Sequence, residues 1–206
     1  MYQNHAAPEQ LNLQMHCRAV RGGRFMAVRE ITYEERDMMY DQALKKMGIE
    51  RTHPSREELE QEIIDYLGKK QPCTLATCGK DGWPRVSVVD YVNDGLTLYI
   101  FSEGGDKFKN LKENNRVGIG IGTGSKALKT RGINIWGIAD VFDDETPEFA
   151  QGMKIISPII KDMEKAAGGS VKIPQGILRL IRVVPARMVY HHTSKGIKHA
   201  VWEAVS

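Results

Sequence analysis

Two cations and a hydroxyl lie within a stretch of sequence that is otherwise typical of β-strands. Arg85 and Ser87 alternate with Val86 and Val88, so in a strand the arginine and the serine share one face. Lys107 follows the glycine-containing segment SEGGD and begins a short helix-prone run. A guanidinium, an ammonium and the N–H groups at a helix start are all suited to holding a phosphate. The spacing predicts an anion site, although two solvated charges on the rim of a barrel explain it equally well.

The elements that must position these residues are mostly strands joined by tight turns. The turn sequences GKDGW and NDG separate β-rich segments and are typical of β-hairpins. The predicted strands cover residues 72–78, 84–92, 96–102, 116–121, 131–142, 178–191 and 198–204. Consecutive hairpins of this kind favour a mainly β (α+β) fold, an antiparallel split β-barrel with flanking helices.

Helices are predicted on both sides of the strand-rich region. Two Ser/Thr-x-x-Glu capping boxes, at Thr32 and Ser55, indicate two helix starts before the first strand. A third, short helix is predicted from Lys107, and a fourth covers residues 146–167 with apolar residues at helical spacing. We expect this fourth helix to pack its apolar stripe on the barrel.

Composition excludes several classes of protein. The 206 residues are 41% hydrophobic and 27% charged, which is ordinary for a soluble globular chain. A net charge of +3 is too small for the basic surface of a nucleic-acid binder, and no apolar run approaches the ~20 residues of a membrane span. We therefore expect no nucleic-acid and no membrane partner. Residues 1–54 are predicted to form an N-terminal arm and helix, and residues 55–206 the barrel domain.

Cysteine and histidine give no metal signature. The three cysteines lack metal-ligand spacing and favour a reduced, cytoplasmic protein. His191 and His192 are adjacent, but neighbours in a strand face opposite sides, so they make a poor pair of ligands. We predict no metal site.

The order of these motifs resembles the pyridoxamine 5'-phosphate oxidase-like family of FMN-binding split barrels. The resembling segments are LATCGKDGWPRVSVVDYVNDGLTLYIFSEGGDKFKNLKENNRVGIGI, GINIWGIADVF and LRLIRVVPARMVYHH, which together span roughly residues 67–192. The resemblance implies a homodimer that binds FMN non-covalently between its subunits. It also implies a flavin-dependent oxidoreductase that passes electrons from NAD(P)H to a small substrate.

The resemblance further implies which residues hold the cofactor. Arg85 and Lys107 would bind its phosphate, and the backbone of the Arg85 strand would hydrogen-bond the ribityl chain and the ring edge. Arg131 and Trp136 are the predicted contributions of the partner subunit. The predicted cofactor-binding residues are Arg85, Val86, Ser87, Val88, Val89, Phe101, Ser102, Lys107 and Arg131. No side chain stands out as an acid or base, so no catalytic residue is predicted.

Two departures from true oxidases of this family indicate a different substrate. Their Arg-x-His pair is absent, because Arg187 is followed by Val189 at the comparable place. Asp90 occupies a position where those enzymes favour lysine, and a carboxylate there repels a phosphorylated substrate. Two alternatives to an enzyme stay open: a flavin, haem or deazaflavin binding or sensor protein without turnover, and a structural dimer without a ligand.

Overall fold

The helices and strands follow one another along the chain in the order that the sequence predicts. The computed structural model describes residues 31–69, 72–123, 130–170 and 176–205, and the arm predicted over residues 1–30 lies outside them. The elements are α1 (Tyr33–Lys46), α2 (Arg56–Leu67), β1 (Cys73–Cys78), β2 (Pro84–Val89), β3 (Val92–Asp94), β4 (Thr97–Ser102), α3 (Lys107–Glu113), β5 (Arg116–Gly122), β6 (Arg131–Phe142), α4 (Pro147–Ala167), β7 (Arg179–His192) and β8 (Ile197–Glu203).

A single antiparallel sheet carries all of these strands. Its order is β2-β1-β5-β6-β7-β4-β3, and β8 pairs with β7. β2 and β3 lie at the two ends of this order but are separated along the chain only by Asp90 and Tyr91. The sheet must therefore curl until its ends adjoin, which makes a barrel. The predicted antiparallel split barrel is confirmed, and the strand predicted over residues 84–92 is divided into β2 and the start of β3.

The barrel interior is filled by side chains that alternate with outward-facing ones along each strand. One row crosses five paired strands, and all of its members are buried: Leu75, Ile119, Ile135, Met188 and Trp202. Removing such a side chain from water contributes roughly 1.5–3 kcal/mol. Rows of this kind fix the register, because a slip by one residue would turn every apolar side chain outward.

The two N-terminal helices begin at the predicted capping boxes. Thr32 and Ser55 each accept a hydrogen bond from the backbone N–H three residues later, and the glutamate at that position bonds back to the cap. α2 places Ile63, Tyr66 and Leu67 in the core, where all three are fully buried. The capping box therefore sets where α2 starts, and its apolar face sets how α2 closes the barrel.

The long helix α4 packs against β4 and β7. Phe149 meets Phe101 edge-on with ring centroids 5.8 Å apart. Gly152 lies so close to Leu180 that a Cβ there would reach 2.6 Å from a methyl group of the leucine. Among the helices in the described part of the chain, none has the length and apolar character that crossing a membrane requires.

Candidate functional site

The barrel opens into a groove where β2 and β4 separate. β3 pairs with β4, and continuing the same register would pair Asp90 with Phe101 and Ser87 with Gly104. The two strands diverge instead, and these four residues help to line a groove of about 540 Å³. That volume is typical of a site for a small molecule. The groove therefore takes the place of four residue pairs that would otherwise form between the two strands if the β-ladder continued.

The walls of this groove are two free strand edges. β2 is paired with β1 on its other side, and β4 with β7. In an antiparallel strand, alternate residues direct their N–H and C=O groups to one neighbour and the remaining residues direct theirs to the other side. Each wall therefore offers a row of backbone donors and acceptors about 10 Å long, at ~3.3 Å per residue. Such rows suit a flat ligand with polar atoms along its edges.

The groove brings together most of the predicted cofactor-binding residues. Six of the nine line it: Ser87, Val88, Val89, Phe101, Ser102 and Lys107. Arg85 precedes them on β2, and Val86 lies on the outer face of that strand with 62% of its surface exposed. The structure thus collects one set of residues from β2, β4 and the start of α3. Their role in binding a cofactor stays a prediction.

Lys107 and Arg85 form the cation end of the groove. Lys107 is only 8% exposed, and its ammonium donates a hydrogen bond to the carbonyl oxygen of Gly104. Burial lowers the pKa of Lys107, and the nearby positive charge of Arg85 lowers it further. The two cations therefore lie close enough to repel each other. An anion placed between them would relieve that repulsion.

The start of α3 contributes a carboxylate as well as free N–H groups. Asp106 is the N-cap residue, but its side chain makes no capping hydrogen bond. Its Oδ2 accepts from Arg85 at 3.1 Å and its Oδ1 pairs with Lys109 at 3.2 Å. The hydrogen bond and charge of Lys109, followed by the charge of Arg85, lower the pKa of Asp106. The positive charge of this corner thus comes from side-chain cations, since α3 is only seven residues long.

Arg131 lies in a different cluster, here called the Glu62 network. Its guanidinium donates to the Tyr190 hydroxyl at 2.6 Å and pairs with the Glu62 carboxylate at 3.5 Å. Glu62 also accepts from Tyr190 at 3.3 Å and from Lys195, and His192 lies 3.7 Å away. Burial alone would raise the pKa of Glu62, but the bonds from Lys195 and Tyr190 and the charge of Arg131 leave it lowered.

The Glu62 network is a cluster that the sequence analysis missed. Its members come from α2, β6, β7 and the turn after β7. No motif joins Glu62 to its partners, which lie 69, 128 and 133 residues along the chain. Arg131 is also packed between two aromatic rings, Tyr66 at 4.6 Å and Tyr190 at 5.6 Å. Within one subunit it does not line the groove, and its predicted place in a partner's site stays a prediction.

The two adjacent histidines are separated by the strand, as expected. His192 faces Glu62, whereas His191 lies against Gly132 on the paired strand. Across the described residues, no group of three or more His, Cys, Asp or Glu side chains is arranged to hold a metal ion.

Comparison with known families agrees with this architecture. Residues 59–190, well over half of the chain, match the model of the family described as pyridoxamine 5'-phosphate oxidase. The chain belongs to this family. Comparison with curated proteins finds no match.

Solved structures with the same fold are distant in sequence. General Stress Protein 26 from Bacillus anthracis str. Sterne is 15% identical with a TM-score of 0.52, over 71% of this chain and 98% of that one. A conserved hypothetical protein from Mycobacterium tuberculosis is 23% identical with a TM-score of 0.51, over 71% of this chain and 91% of that one. At such identities the likeness establishes the fold alone.

Proposed function

We propose that this protein binds FMN non-covalently in the groove between β2 and β4 and uses it as an oxidoreductase. One observation carries the proposal: two free strand edges converge on a pair of cations, Lys107 and Arg85. A flavin mononucleotide has the matching parts, a flat ring with polar edges and a phosphate at the end of a short chain. Membership of a family named for a flavin-type oxidase chemistry supports the same class of ligand.

Each part of the groove has a task in this proposal. Lys107 and Arg85 hold the phosphate, the second after exchanging its bond with Asp106. The backbone of β2 and β4 hydrogen-bonds the ring and the ribityl chain. Phe101, held against Phe149 of α4, supplies an apolar wall that keeps water from that side of the ring. FMN held by these residues would supply hydride-transfer chemistry between a reduced nicotinamide and a second substrate.

A homodimer is part of the proposal, because the outer face of the sheet exposes large apolar side chains. One row of paired residues on this face has two large ends and a small centre: Val86, Ala76, Gly118 and Trp136. Val86 and Trp136 are 62% and 46% exposed, and Val88 beside them is 75% exposed. Exposed apolar patches of this kind mark interaction sites. A second copy seated here would also cover the outer side of the groove, since Val88 belongs to both surfaces.

The dimer is tested by light scattering on Trp136→Glu, with Trp83→Glu as the matched control. Trp83 is even more exposed, at 78%, but it lies in the turn before β2. We expect wild type and the Trp83 variant to run as dimers and the Trp136 variant as a monomer. A monomeric wild type, or a dimeric Trp136 variant, would contradict the proposed interface.

Flavin binding is tested by titrating the purified protein with FMN and with riboflavin, which lacks the phosphate. We expect micromolar or tighter FMN binding, with Arg85→Ala/Lys107→Ala weakening it about 100-fold through two charge-assisted hydrogen bonds. Riboflavin affinity should change much less in that variant. Lys112→Ala is the control, because Lys112 is an exposed cation in the last turn of the same helix and outside the lining of the groove. Failure to take up FMN would refute the proposal, and tight binding of haem or a deazaflavin instead would change the cofactor.

Turnover is tested by mixing the FMN-loaded protein with NADH and with NADPH in a stopped-flow spectrometer. Bleaching of the flavin absorbance near neutral pH supports an oxidoreductase. A flavin that stays oxidised with both nucleotides supports the alternative of a carrier or sensor.

A further inference from the structure

The groove has an acidic end as well as a cation end. Asp90 lies one residue beyond β2 and lines the groove, three residues along the strand from Ser87. If the register between β3 and β4 is continued, Asp90 lies opposite Phe101, whereas the cations lie near Gly104. The two ends are therefore about 10 Å apart, at ~3.3 Å per residue.

Asp90 differs from three other aspartates around the barrel, which each have an arginine as partner. Asp106, Asp140 and Asp143 each pair with an arginine at 2.8–3.1 Å. No ion pair to Asp90 is found among the residues the structure describes. Its field also reaches the interior: burial raises the pKa of the Cys73 thiol to about 12, and the Asp90 charge adds to that rise.

The charges of the groove determine which second ligand it favours. Arg85 and Lys107 are neutralised once they hold a phosphate dianion, which leaves Asp90 and the exposed Glu103 as net negative charge. A second molecule that approaches the ring end therefore meets an unpaired carboxylate at close range, where opposite charges attract and like charges repel.

We propose that Asp90 makes the ring end of the groove selective for cationic or neutral aromatic substrates over phosphate esters and carboxylates. This inference rests on the proposed function, because it names the class of substrate that the flavin site admits. It concerns binding and requires no particular reaction. Phe101, which lines the groove together with Asp90, supplies an aromatic side chain at that end of the groove.

The test uses two aromatic probes of opposite charge, N-methylquinolinium and naphthalene-2-sulfonate, whose binding is measured by titration calorimetry and by ligand-observed NMR. We expect the FMN-loaded wild type to bind the cation at least about fivefold more tightly than the anion, as an unpaired charge a few ångströms away requires. Asp90→Asn should abolish this preference and Asp90→Lys should reverse it. Asp94→Asn, which removes an exposed acid outside the groove lining, should leave it unchanged.

The outcomes separate this inference from the proposed function. If Asp90→Asn keeps the preference of the wild type, or if the wild type prefers the anion, the inference is wrong. If the protein takes up no FMN, the proposed function fails, but comparing flavin-free wild type with flavin-free Asp90→Asn still decides whether Asp90 favours cations, because Arg85 and Lys107 are common to both. Glu103→Gln tests which carboxylate is responsible. If the preference is lost in this variant and kept in Asp90→Asn, the selectivity belongs to Glu103.

Discussion

The cation end of the groove and the Glu62 network are two charged regions with opposite designs. In the Glu62 network, a carboxylate that is 20% exposed accepts hydrogen bonds from Tyr190 and Lys195 and pairs with Arg131, whose side chain is 11% exposed. At the cation end, Lys107 is more deeply buried, at 8% exposed, and among the described residues its ammonium bonds to a carbonyl oxygen rather than to a carboxylate. Arg85 there shares the exposed Asp106 with Lys109.

The difference teaches what a binding site and a structural ion cluster each require. A buried charge is tolerated when its partners come from the same chain, and breaking such a cluster costs folding free energy. A buried cation without an anionic partner costs free energy in the unliganded protein, which a bound anion offsets. We therefore expect mutations in the first region to change stability and mutations in the second to change ligand affinity.

The largest expected effect is on stability, in Glu62→Gln. The change leaves Arg131 and Lys195 without their carboxylate, and Arg131 is only 11% exposed, so the free energy of unfolding should fall by about 3 kcal/mol. Urea denaturation followed by circular dichroism measures this. Glu57→Gln, an exposed residue of the same helix, is the control and should change stability by less than about 0.5 kcal/mol. FMN affinity should be unchanged in both variants. A loss of affinity in Glu62→Gln alone would mean that the Glu62 network also contributes to FMN binding.

The reverse pattern is expected for Lys107→Ala. Loss of one charge-assisted hydrogen bond should weaken FMN binding about 20-fold, while stability without ligand changes by less than about 1 kcal/mol. Fluorescence quenching of FMN and urea denaturation measure the two quantities. A stability loss as large as that of Glu62→Gln, with unchanged affinity, would make Lys107 a structural residue.

A smaller effect, in the opposite direction, is expected for Asp106→Asn. The carboxylate of Asp106 holds Arg85 at 3.1 Å and would repel a phosphate at the same corner. Its removal should tighten FMN binding about threefold, which is the size expected for an exposed charge. Weaker binding would mean instead that Asp106 positions Arg85 for the ligand.

The smallest effect is a pH dependence outside the neutral range. The lowered pKa of Lys107, caused by burial and then by Arg85, means that its ammonium is lost at a lower pH than in an exposed lysine. Because the charged form binds the anion, FMN affinity should be flat near neutral pH and should fall as the solution becomes alkaline. In Lys107→Arg the affinity should persist to higher pH, since a guanidinium keeps its proton. An identical decline in both proteins would exclude Lys107 as its cause.

Features that depend on neighbouring residues were predictable from the sequence. The capping boxes at Thr32 and Ser55 mark helix starts because donor and acceptor lie three residues apart. The alternation in β2 correctly separates exposed Val86 and Val88 from the half-buried Val89. The order of the motifs along the chain also predicts the family, and the match to the family model confirms this prediction.

Features that depend on distant residues were not predictable. The break between β2 and β3 arises because β4 pairs with Val92 but leaves Asp90 unpaired, and no local signal marks that point. The expected helix start at Lys107 is correct, but the sequence does not reveal that Asp106 forms an ion pair with Arg85 across 21 residues.

Arg85 and Arg131 illustrate the division between sequence and tertiary structure. Both are arginines at the beginning of a predicted strand, and the sequence by itself determined that each would belong to a strand of an antiparallel barrel. Only the tertiary structure decided that Arg131 is surrounded by Glu62 and Tyr190, while Arg85 lies beside a buried lysine at an open groove. The physical reason is that strand formation follows from local side-chain alternation, whereas the partner of a charge is set by chain segments brought together on folding.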